Sequence, residues 1–128
     1  MHLQDYNKVS NFSDWVKPVW AVIFNNIYEI NLLDKNIVFQ IKYDEDFRKE
    51  LFFSYFNDDM LYIENKINKI AIDVGTNSTN LYYCVSVIDN STNTEDVNPF
   101  DYPLEKVIFY NYQDVKEYLI KMMEKYSK

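Results

Sequence analysis

INKIAIDVGTNSTNLYYCVSVID, residues 67–89, is the stretch that decides the fold. Two β-branched and aromatic runs, Ile67 to Val74 and Leu81 to Asp89, flank the polar segment from Gly75 to Asn80. Runs of that composition separated by turn residues read as the two strands of a hairpin. Gly supplies the positive φ of a tight turn, and Asn, Ser and Thr suit the positions around it. The same texture recurs outward. Ile27 to Leu33 and Ile37 to Tyr43 flank Asp34-Lys35-Asn36, Leu51 to Phe56 and Met60 to Glu64 flank Asn57-Asp58-Asp59, and Val107 to Tyr110 makes a last strand. The run from Arg48 to Phe56 has apolar residues on both faces, so it is read as a strand with a short helix as the alternative.

Helical spacing brackets these runs. Phe12, Trp15, Val16, Val19, Trp20, Ile23, Phe24 and Ile27 recur three and four apart, which predicts an N-terminal helix that Pro18 either starts or kinks. Val115, Tyr118, Leu119, Met122, Met123 and Tyr126 trace a second stripe. Asn111 is placed to cap it, acids come early and Lys121 and Lys125 late. A chain of 128 residues suits one domain. The expectation is therefore a single α+β domain spanning residues 1–128. It has an N-terminal helix, an antiparallel meander of about five to seven strands, and a C-terminal helix packed on one sheet face.

Composition narrows the function classes. Hydrophobic residues are 48% of the chain and aromatics 18%, which argues for a packed core. Twelve Tyr and nine Phe exceed the needs of a small core, and Tyr is common at recognition surfaces. The net charge of −7 is concentrated in the middle: residues 43–64 carry −5 and residues 70–105 carry −6, while the first 42 residues balance. Such a field repels nucleic acid and anionic lipid and attracts a basic protein. The start of the chain has no apolar stretch after a basic segment, and no 18-residue run is free of charge, so a soluble cytoplasmic protein is expected.

Chemical residues are scarce, with one His, one Cys and one Gly. Cys84 would need a His base for nucleophilic catalysis, and the only His is His2. Zinc ligands are too few, and the alternating Asp89, Ser91, Asn93 and Glu95 lack the Gly and the closing Glu of a calcium loop. Residues Ile70 to Ser78 resemble the phosphate-binding hairpin of the actin and heat-shock ATPase superfamily, but that fold needs two duplicated domains, and a plain hairpin explains the same residues. The expectation is no enzyme, no cofactor and no metal.

Acids next to rings remain. Asp44, Glu45 and Asp46 lie between Tyr43 and Phe47; Asp58 and Asp59 follow Phe56; Asp89, Glu95 and Asp96 lead to Phe100, Asp101 and Tyr102. Acids neutralise basic groups on a partner while rings supply buried contact area. These eleven positions, Asp44, Glu45, Asp46, Asp58, Asp59, Asp89, Glu95, Asp96, Phe100, Asp101 and Tyr102, are the candidate partner-binding residues, with the 89–102 loop first. Asn, Ile, Lys, Tyr and Phe make up 60 of the 128 residues, the mark of AT-rich codons. In overall character the chain resembles the bacterial immunity proteins of contact-dependent growth inhibition and related polymorphic toxin systems. The resemblance implies an inhibitor that binds a cognate toxin domain, often a basic nuclease. Two further classes stay open: a phage-type nucleic-acid mimic that blocks a DNA-binding protein, and a small ligand-binding or catalytic domain with an aromatic pocket. The last predicts a deep pocket holding a carboxylate of raised pKa.

Overall fold

The computed structural model describes residues 6–76, 81–92 and 98–127. Five antiparallel strands form one sheet in sequence order: β1 (Trp20–Asn25), β2 (Leu61–Asn65), β3 (Ile70–Gly75), β4 (Tyr83–Asp89) and β5 (Glu105–Phe109). Between β1 and β2 lie α1 (Lys35–Tyr43) and α2 (Glu45–Glu50), the latter running on into a π-helical turn at Leu51–Tyr55. The chain ends in α3 (Tyr112–Lys125). The fold is α+β, as its composition and strand texture imply.

Period-2 alternation sorts the sheet into two faces. Register aligns Val22 with Ile63, Ile63 with Ile72, and Ile72 with Val87, and Leu61, Val74 and Val85 likewise share a face. All but the half-buried Val22 are buried, against Val115, Leu119, Met122 and Met123 of α3 and Ile37, Phe47 and Leu51 of the first helices. One apolar core therefore lies between the sheet and the helix layer. α3 is held at both ends. Asn111 Oδ1 caps it by accepting from Asp114 N at 2.9 Å. At its far end the Tyr126 carbonyl accepts from Asn65 Nδ2 at 3.1 Å and Asn68 Nδ2 at 2.7 Å, and the Trp20 indole N–H donates to Ser127 Oγ at 2.8 Å.

Four expected elements differ. Residues 12–27 do not form a helix: a 3-10 turn at Phe12–Asp14 is followed by β1. Pro18 removes a helical donor, and the β-branched run after it alternates Trp20 and Val22 toward the core. Residues 37–43 are helix rather than strand. Asp34 Oδ1 accepts from Asn36 N and Ile37 N, capping α1, and Ile37 and Ile41 fall four apart on its inner side. Residues 48–55 are helical, the alternative reading of that run, and Phe56 is extended; Asp44 Oδ1 caps α2 through Phe47 N at 3.0 Å, and Phe47 and Leu51 bury one face. Ile27 to Leu33 is an extended connection carrying single bridges from Lys8 to Tyr28 and from Asn31 to Asn111.

That connection is tied to the sheet by Tyr83 of β4, which is 1% exposed. Its hydroxyl donates to the Tyr28 carbonyl at 2.6 Å and accepts from Ile30 N at 3.1 Å. Burial pushes this phenol far above its ordinary range, with a smaller opposing effect from the Ile30 hydrogen bond. Tyr83→Phe leaves a part-buried carbonyl and a buried N–H unpaired, so chemical denaturation should show a loss of about 1–3 kcal/mol with an unchanged m-value.

Candidate functional site

Among the described residues no α-helix packs on the second face of the sheet. Register sets Tyr62, Asp73, Ser86 and Lys106 side by side across β2 to β5, and Gly75, Cys84 and Ile108 in the adjoining row. At one end of this face Ala71 and Ile88 are wholly buried, and Asn90 Nδ2 donates to Tyr62 Oη at 2.6 Å. The 3-10 turn at Pro99–Asp101 packs on β4, and Asn98 Oδ1 caps it through Phe100 N at 3.0 Å. Further along, the face opens into a groove of about 520 Å³ floored by Asp73, Cys84 and Ser86 and bordered by Asp58, Tyr82 and Phe100.

Gly75 sets the depth of one wall. It has no positive φ, contrary to the role its turn position suggests. Its place depends on space instead, since a Cβ there would lie 2.1 Å from the Asp58 carbonyl oxygen. Thr76 N donates to the Asn57 carbonyl and Met60 N to the Val74 carbonyl, each at 2.9 Å, and these bonds lock the 57–60 turn against β3. Asp58 and Asp59 are thereby carried toward Asp73.

Asp73 is the electrostatic centre of the groove. Desolvation, with added repulsion from Asp59 and then Asp58, pushes its carboxyl up to about 7. The ion pairs among the described residues are Lys17–Glu124, Lys49–Glu45 and Lys125–Glu105, and none engages it. A carboxyl poised near neutrality can accept a cation, which would favour its ionised form, or hold a proton.

The acidic and aromatic positions divide between two surfaces. Asp58 and Phe100 meet in the groove, with Asp59 beside them; Asp101 and Tyr102 are exposed just past Phe100, Tyr102 by 77%. Asp44, Glu45 and Asp46 lie elsewhere, lining an open hollow of about 810 Å³ between α1 and α2 with Phe39 and Tyr43. Those two rings are exposed, and their centroids are 4.8 Å apart. Asp44 is occupied as a helix cap and Glu45 pairs with Lys49 at 3.3 Å, so Asp46 is the acid of that trio with no structural duty shown. Asp89 accepts from Ser91 N at 2.9 Å and is in register with Ile70, on the helix side of the sheet, away from the groove. Glu95 and Asp96 lie outside the described residues. Asp73 itself was legible as the lone acid in an apolar strand, Ile72-Asp73-Val74, where alternation turns it away from the core.

Among the described residues no group of three or more His, Cys, Asp or Glu is arranged to hold a metal ion, and no helix is long and apolar enough to cross a membrane. No protein-family model matches the chain, and no curated protein or solved structure is significantly similar to it.

Two outcomes follow from this geometry. Gly75→Ala must displace backbone rather than a flexible side chain, so it should cost about 1–3 kcal/mol in denaturation. Asp73 binds a proton more tightly folded than unfolded, so stability should fall as pH rises from about 4 to about 7 and level off above. Asp73→Asn should flatten that slope and, after allowance for solvent screening, raise stability at pH 8 by about 1–2 kcal/mol, as measured by melts across the pH range.

Proposed function

We propose that this chain is a cytoplasmic immunity protein that neutralises a cognate toxin domain, a basic and nuclease-type one, through its acidic and aromatic surface. The observation that carries this is the convergence of Asp58, Asp59 and Phe100, from two separate sequence clusters, around Asp73 on the open part of the second sheet face. A basic side chain entering the groove would meet carboxylates from two elements while Phe100 and Tyr102 supplied apolar contact area. That combination is typical of interface anchors. The hollow beside Phe39 and Tyr43 repeats the pattern of exposed rings with an acidic border and offers a second contact area. The net charge of −7 would speed the encounter with a basic partner.

A second, catalytic or ligand-binding reading is supported by Asp73 alone, a carboxyl near neutral pKa in a groove with a thiol, a hydroxyl and an ammonium. The groove is broad and open to solvent, and an extended partner surface suits that shape better than an enclosed small substrate.

The test starts from the sequence of the gene immediately upstream: where it encodes the C-terminal part of a large secreted protein, that domain is co-purified with this chain and the affinity is measured across salt concentrations. Binding should weaken as salt rises. Asp58→Lys with Asp59→Lys should weaken it about tenfold or more, while the same change at Asp89 should leave it within about twofold. Affinity indifferent to salt and to the 58–59 reversal would rule the mechanism out.

A further inference from the structure

A further hollow lies in the helix layer, on the other side of the sheet from the acidic groove. It is a recess of about 390 Å³ between the N-terminal segment, Glu29 and the first turns of α3. Its size falls within the range of about 300–1,000 Å³ usual for small-molecule sites. Lys8 and Lys116 bring two positive charges to its wall, and Asp14 and Glu29 bring two negative ones. Among the described residues no ion pair joins any of these four to another. Opposite charges that surround one hollow without meeting across it leave room for an occupant that bears both. Because the wall charges cancel, neither a simple anion nor a simple cation is favoured. Trp15 adds an aromatic plane, with Lys116 Nζ 5.8 Å from its ring centroid. Asn11, which heads the Phe12–Asp14 turn without capping it, also lines the recess.

We propose that this recess binds a small zwitterion, one molecule of amino-acid size carrying an ammonium and a carboxylate. The ligand's carboxylate pairs with Lys8 or Lys116 and its ammonium with Asp14 or Glu29, each through charge-assisted hydrogen bonds. The apolar part of the ligand lies against Trp15. The site is independent of the toxin-binding reading, since it shares no residue with the acidic groove.

Calorimetric titration of the full chain tests it with two probes that differ in charge separation, L-leucine and 6-aminohexanoic acid. At least one should bind. Blocking either charge of the binding probe, by N-acetylation or by amidation, should weaken it about tenfold or more, and so should Lys8→Ala and Asp14→Asn. Both substitutions are on exposed side chains, so unchanged melting temperatures will show that the variants are folded. Absence of binding by both probes, equal binding of the blocked forms, or wild-type affinity in the folded variants would each overturn the proposal.

Discussion

The structure depends on one buried hydroxyl. Tyr83 projects from the fourth strand into the core and holds the extended connection through Tyr28 and Ile30. That connection is paired on one side with the N-terminal segment, through Val9 N to the Ile27 carbonyl and Glu29 N to the Asn7 carbonyl. On its other side it meets the start of α3, through Leu32 N to the Tyr110 carbonyl and Tyr112 N to the Ile30 carbonyl. Three stretches far apart in sequence thus meet at the connection that this phenol ties to the sheet. Leaving its partners unpaired in the core would cost more than the bonds themselves contribute, because buried polar groups have no water to fall back on.

The two faces of the sheet have opposite physical characters. The helix-bearing face is apolar and closed, and its burial drives folding. The other face is partly roofed at one end and elsewhere presents a carboxyl that burial holds near neutrality with two more acids beside it. Folding does not need that arrangement; it is electrostatically unfavourable at neutral pH, and an unfavourable feature retained on an open face is characteristic of binding surfaces.

Legibility in the sequence followed the strength of the local signal. The C-terminal helix was readable because cap, stripe and terminal charges agree over four turns from Asn111. The central strands were readable because alternation and turn residues coincide. The first half was not, because β-branched and aromatic residues serve in either element when neighbours supply the burial. Ile37 to Tyr43 contains Ile, Val, Phe and Tyr and still forms a helix, capped by an Asp that looks equally at home in a turn. The same Asp44 that seemed a binding residue from its acidic company is the cap of α2.

By itself the sequence determined the class of fold, the distribution of charge and the pairing of acids with rings, since these are local and compositional properties. Only the tertiary structure decided which acids act together. Asp58 and Asp73 are fifteen positions apart in the chain. They become neighbours because Gly75, with no side chain, lets the 57–60 turn pack against the end of β3. Asp89, inside the acidic stretch, is sent to the far face by the period of its strand. Charge is written along the chain, but its electrostatic effect depends on distance and burial, which exist only once the sheet has formed.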